Sequence, residues 1–167
     1  MKNNDAVLIE DYDPAWPNVF SKLAARAMAA LGSLAVGVEH IGSTAVPGLA
    51  AKPIIDLDVV IALPADLPEA IQCLSNLGYV HEGDLGITGR EAFRPPSDMP
   101  PHHLYLLSAG ANELRRHLAL RDALRANSEL RNSYGALKRS LGEEHRNDRC
   151  AYTKGKAAFI ASVVGID

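Results

Sequence analysis

Aromatic residues are scarce in this chain: Phe, Trp and Tyr make up 5% of 167 residues, with a single tryptophan. Such a composition does not support a nucleic-acid module that interleaves rings with basic side chains. A formal net charge of -3 argues further against non-specific binding to a polyanion. Cysteine is scarcer still. Cys73 and Cys150 stand far apart and lack the paired spacing of a zinc site or a redox motif, so two reduced thiols are expected. Long apolar runs are absent too, and nothing approaches the ~20 residues a membrane helix needs. Met1 to Glu10 has neither the basic start nor the apolar core of a secretory leader. The expectation is a cytoplasmic protein with no membrane partner, without repeats or low-complexity linkers.

What is present is an ordinary globular balance, 47% hydrophobic and 22% charged, over a length suited to one domain spanning residues 1–167. The charge is unevenly spread. Residues 1–100 hold 6 Lys and Arg against 13 Asp and Glu, and residues 101–167 hold 11 against 7, so the two parts carry -7 and +4. Either the later helices simply have basic exposed faces, or a basic lobe faces a carboxylate site across a cleft.

Val7 to Ile9 reads as a short opening strand, and Asp13 with Pro14 as the cap and first turn of a helix running to about Leu31. Trp16, Val19, Phe20, Leu23 and Ala27 recur at spacings of three and four and define its buried face. Strands are expected at 36–41, 54–61, 79–82, 91–94 and 102–107, with Asp66 and Glu69 boxing the start of a helix that Gly78 ends. From Asn112 the pattern is helical, with breaks near Asn127 and Gly142 giving about three helices. The order predicts an α+β (mixed α/β) fold with a helical C-terminal third.

The strand at 54–61 carries the anomaly. It is apolar nearly throughout, as a central strand covered on both faces should be, except for Asp56 and Asp58. Residues two apart on a strand share a face, so two carboxylates lie side by side, and burying unpaired like charges is costly unless a cation or a strong hydrogen-bond network meets them. A hard divalent ion such as Mg²⁺ takes oxygen ligands and shares them between carboxylates and substrate phosphates. Upstream, Gly42 and Ser43 follow a strand, where a glycine admits close backbone approach, a serine adds a hydroxyl, and backbone N–H groups can cradle a phosphate.

The stretch from His40 to Val59, His-Ile-Gly-Ser-Thr-Ala-Val-Pro-Gly-Leu-Ala-Ala-Lys-Pro-Ile-Ile-Asp-Leu-Asp-Val, resembles the signature of the GrpB family. That family is similar to the polymerase β type nucleotidyltransferases, whose pattern is Gly-Ser, a turn, then Asp-x-Asp on the next strand. The resemblance extends through Asp11, Tyr12, Asp13, Pro14 and Trp16, through Phe93, Arg94, His102, His103 and Leu104, and through Tyr134, Lys138, Tyr152 and Phe159. It implies a nucleotidyltransferase-like mixed β-sheet flanked by helices. It further implies that Gly42, Ser43 and Thr44 hold a triphosphate and that Asp56 and Asp58 hold Mg²⁺ or Mn²⁺. The implied reaction is nucleotidyl transfer from a nucleoside triphosphate to an unidentified acceptor. The alternative is a non-catalytic or regulatory binder of a nucleotide or other phosphorylated small molecule. Members also occur fused to a coenzyme A biosynthetic kinase.

One departure bears on the reaction. The superfamily adds a third carboxylate from a later strand, and 102–107 has none; Glu91 from a neighbouring strand or His103 as a base are the candidates to take its part. Lys52 either offsets phosphate charge or is an exposed loop lysine, and Arg94 either makes a bidentate phosphate contact or pairs with Asp98. His40 is read as orienting the Gly-Ser turn rather than touching substrate. His102 and His103 must face opposite sides of their strand, so at most one lines a pocket. Zinc hydrolysis through His40, one of these histidines and an aspartate lacks the short ligand spacings of zinc motifs. Arg115, Arg116, Arg121 and Arg125 fit a solvated helical face, whereas Lys138, Arg139, Lys154 and Lys156 could reach an anion and Tyr134 or Tyr152 could stack on a base.

Overall fold

The β-branched and leucine-rich segments line up as a five-stranded sheet in a computed structural model that describes residues 6–165. Its strands are β1 (Ala35–Ile41), β2 (Ile55–Ile61), β3 (Val80–Gly83), β4 (Arg90–Arg94) and β5 (His102–Ser108), in the order β1-β2-β5-β4-β3. Only β2 and β5 pair in parallel; the other neighbours are antiparallel, which makes the sheet mixed. Helices α1 (Trp16–Leu31) and α2 (Leu67–Asn76) precede and follow the β1–β2 pair, and α3 (Asn112–Ala126), α4 (Ser128–Glu144), α5 (Arg149–Gly155) and α6 (Ala157–Val164) form the C-terminal third.

Two-residue periodicity sorts β2 and β5 onto two faces. Leu57 and Val59 oppose Leu104 and Leu106, and this side packs on Ala27 and Leu31 of α1 and Ala70 and Leu74 of α2. The other side presents Asp56 and Asp58 opposite His103 and Tyr105, followed by Val60 and Leu107, which pack beneath Leu114 of α3. Both faces are therefore covered, as the apolar run of β2 requires.

Several boundaries differ from the sequence reading. Residues 7–9 form no strand: Val7 and Ile9 pack against Leu141, Leu137 and Tyr152, and Glu10 makes an isolated antiparallel bridge to Ala51. Asp13 accepts from the Ala15 amide at 2.8 Å in a turn, and α1 starts at Trp16 with Pro17 in its first turn. Asp66 makes no capping bond: a 3₁₀ turn at Pro64–Asp66 already holds it in helical geometry, not in the extended conformation of a capping residue. Gly142 does not break a helix. It lies inside α4, where a Cβ would stand 3.0 Å from Ile9, so its smallness is used for packing. The break falls instead at 145–148, Asp148 caps α5 through the Ala151 amide at 2.9 Å, and four helices result rather than three. Asn127 does separate α3 from α4, accepting from the Leu130 amide at 3.0 Å. No described helix is long and apolar enough to cross a membrane.

Candidate functional site

The Gly-Ser turn and the β2 carboxylates meet because β1 and β2 are antiparallel, with Ile41 opposite Asp56. Gly42 follows with φ 72°, in the left-handed region, and opens a 3₁₀ turn over Ser43–Ala45. A Cβ there would overlap Asp56 Oδ2 and stand 3.0 Å from its Cγ, so both conformation and space demand glycine. His40 braces the turn from behind: its Nε2 bonds Thr44 Oγ1 at 3.0 Å and its ring stacks on Phe20 at 4.5 Å. Burial pulls its pKa down to about 4, aided by Arg125 and Arg121 and opposed by Asp56, so the ring is neutral.

A cavity of about 250 Å³ opens beside this turn. Ser43, Thr44, Asp56, His103 and Tyr105 line one side, and Lys52, Lys138, Arg149 and Lys156 bring four cations to it. Lys138 is 2% exposed and donates to the Ala50 carbonyl. Burial, reinforced by Lys156, pushes its pKa down to about 7, and burial with Lys52 pushes Lys156 down to about 8. Lys52 is lowered as well, by burial and then by Arg149. Four ammonium and guanidinium groups facing Asp56 as the nearby acid leave an excess of positive charge, which an anion would relieve.

Each aspartate engages a histidine. Asp56 Oδ1 accepts from His103 Nδ1 at 2.7 Å, and His103 Nε2 accepts in turn from Arg149 at 3.2 Å. Asp58 is fully buried; its Oδ2 accepts from His117 Nδ1 at 2.7 Å, while the other His117 nitrogen lies 3.1 Å from Glu113. Burial opposes charge on His117, yet the two carboxylates outweigh it and raise its pKa to about 9, so the imidazolium carries the proton between them. Asp58 Oδ1 is buried without a partner. Among the described residues no group of three or more His, Cys, Asp or Glu is arranged around a common metal position.

Other expected residues fall elsewhere. Arg94 is exposed at the end of β4 and lines neither this cavity nor its neighbour. Glu91 cannot replace the third carboxylate. It opposes Leu106, on the far face of the sheet, and is held by His81 at 2.6 Å. His102 also faces away, donating to the Pro100 carbonyl and accepting from Tyr79, which leaves His103 as the histidine of that pair in the cavity. Arg121 leaves the solvated face, reaching Glu39 at 2.7 Å and the His40 carbonyl, and Arg125, though exposed, donates to the Ala45 carbonyl within the turn. Arg139 pairs with Asp11, and Lys154 is exposed. Tyr152 lines this cavity and Tyr134 its neighbour. Tyr134 stacks on Phe159 at 4.6 Å with the Lys138 ammonium 4.7 Å from its ring centroid, and Lys52 and Lys156 stand 5.3 and 4.5 Å from the Tyr152 centroid.

A family model described as GrpB protein matches residues 6–165. The chain belongs to the GrpB family. A UPF0157 protein of Halalkalibacterium halodurans is 35% identical over 165 residues, covering 97% of this chain and 83% of the relative. The crystal structure of the conserved protein GrpB from Enterococcus faecalis superimposes with a TM-score of 0.85 at 34% identity, over 93% of this chain and 94% of that one. Terminal uridylyl transferase 4 from Trypanosoma brucei with bound UTP is similar at TM-score 0.52 and 17% identity, over 93% of this chain and 50% of that one. The fold is that of nucleotidyltransferases. Two residues of this GrpB site escaped the sequence reading. Arg149 had no motif around it, whereas His117 left one faint signal, Glu113 four positions earlier on the same helix face.

Proposed function

We propose that the protein is a nucleotidyltransferase that moves a nucleotidyl group from a nucleoside triphosphate to a hydroxyl-bearing acceptor. The observation that carries this reading is the convergence of Lys52, Lys138, Arg149 and Lys156 on Ser43 and Asp56 in one cavity, in a fold shared with a terminal uridylyl transferase. Ser43, Thr44 and the Gly42 backbone would hold the phosphate chain, and the four cations would offset its charge as pyrophosphate leaves. The acceptor oxygen attacks the α-phosphorus, the bond from that phosphorus to the bridging oxygen of pyrophosphate breaks, and the acceptor proton passes to His103 Nε2, which Asp56 orients through Nδ1 and which Arg149 frees by turning from that nitrogen to the phosphates.

A divalent ion, Mg²⁺ or Mn²⁺, fits beside this machinery. Asp58 Oδ1 lacks a partner and Asp56 Oδ2 lies against Gly42, so each carboxylate keeps one oxygen not engaged by histidine. Asp56 and Asp58 would hold the ion, with phosphate oxygens completing its shell. When bound it would draw charge from the phosphates.

The His117–Glu113 clamp on Asp58 favours a second reading, a nucleotide or phosphorylated-ligand binder that kept the fold. Incubation with each labelled nucleoside triphosphate and Mg²⁺ or Mn²⁺, across a panel of acceptors, separates the two. Nucleotidyl transfer predicts pyrophosphate release that falls about 100-fold or more in Asp56→Asn with Asp58→Asn. Nucleotide binding without turnover would establish the binder, and absence of binding would end both readings.

A further inference from the structure

A second cavity, of about 200 Å³, shares Ser43, Asp56, Tyr105 and Lys156 with the first. Its character differs. Ile41, Leu120, Leu124 and Ile160 give it apolar walls, and Arg90 lines it as a cation.

Arg90 is 9% exposed, at the start of β4, with its guanidinium 4.4 Å from the Tyr105 ring centroid. Its Nε has no hydrogen-bond partner, and the one hydrogen bond of its guanidinium goes to the Asp84 carbonyl at 3.5 Å, the outer limit for such a bond. No carboxylate of the described residues pairs with it. Glu113, the acid nearest in influence, is engaged by His117 and Arg116. Arg121, the other arginine of this cavity, is by contrast fully employed by Glu39, Asp122 and the His40 carbonyl. A guanidinium nine-tenths removed from water and without a carboxylate partner carries a desolvation cost that the Tyr105 ring and one long hydrogen bond offset only in part. An oxyanion would offset it, and the planar fork suits a carboxylate or phosphate bidentately.

We propose that the second cavity binds an organic anion, a carboxylate or phosphate joined to an apolar body, with Arg90 as the residue that recognises the anionic head and Leu120, Leu124 and Ile160 as the wall for the body. Resting on the nucleotidyl-transfer reading above, this anion is the acceptor. It would sit beside Ser43 and Asp56, which border both cavities, so that its attacking oxygen can reach a phosphate chain held in the first.

The test uses phenylacetate and phenyl phosphate as probes, with neutral phenylacetamide as control, titrated into the full chain and followed by amide chemical shifts. ATP binding is measured separately. Wild type should take at least one of the two anions and refuse the amide, the tighter anion identifying the head group. Arg90→Gln should weaken that binding about tenfold or more while leaving ATP affinity unchanged. Ile160→Trp, which fills the apolar end and leaves Arg90 in place, should block the anion too, so the outcome does not depend on one variant folding. Equal binding of phenylacetamide, anion binding indifferent to both substitutions, or displacement of the anion by ATP would overturn the site. Arg90-dependent binding in a chain that takes none of the four nucleoside triphosphates would retain the anion site and remove its acceptor role.

Discussion

At the scale of single residues, Gly42 is the tightest constraint in the molecule. Its positive φ and the Asp56 carboxylate standing where a Cβ would go leave no room for even a methyl group. Gly42→Ala should cost about 1–3 kcal/mol from backbone strain alone and displace Asp56. A lowered thermal midpoint together with lost nucleotide binding is expected, whereas the same substitution at Gly110, which has open space around it, should change neither. This requirement was legible in the sequence, because a glycine before a serine at a strand end leads to a turn that admits a ligand. Arg90 was not legible. Its meaning lies in the absence of a partner, and an absence appears only once every acid nearby has been placed.

At the scale of elements, β2 and α3 form the unit that holds the buried charge. The alternation of β2 put Asp56 and Asp58 on one face and was readable from spacing. Their histidines were not, since His103 lies 47 positions from Asp56 and His117 lies 59 from Asp58. Removing His117 leaves Asp58 buried and unpaired, so His117→Ala should destabilise the chain by about 3–5 kcal/mol in denaturant unfolding. Adding Asp58→Asn should restore part of that loss, because a neutral amide needs no counter-charge; a strictly additive double variant would show that the pair does not interact. Gly142 and the Asp66–Glu69 pair misled for a related reason. Helix stops and caps are local signals, and here a packed Ile9 and a 3₁₀ turn, respectively, override them.

At the scale of the whole molecule, the opposite bias of the two parts of the chain is built into the site: the acidic part supplies Asp56, and three of the four cations, Lys138, Arg149 and Lys156, come from the C-terminal helices. Crowding and burial hold Lys138 at about 7 and Lys156 at about 8, well below an exposed lysine at 10.5. For a lysine lowered on folding, the unfolded chain binds more protons between the two values. The penalty is thus felt in full below about pH 7 and relieved as pH rises toward 10.5. A bound polyanion reverses the balance by favouring the charged ammonium. Pyrophosphate binding at pH 8 should therefore take up protons, seen as a dependence of calorimetric heat on buffer ionisation enthalpy, and Lys138→Met should reduce the uptake. A heat independent of buffer would show that these lysines are already charged.

Ser43, Asp56, Tyr105 and Lys156 each belong to two chambers at once. If both chambers take their proposed guests, one guest would settle the rotamers that the other meets, and the rooms could not be furnished independently. Thermodynamic reciprocity then fixes the exchange: whatever factor the first occupant adds to the grip on the second, the second returns in equal measure to the first.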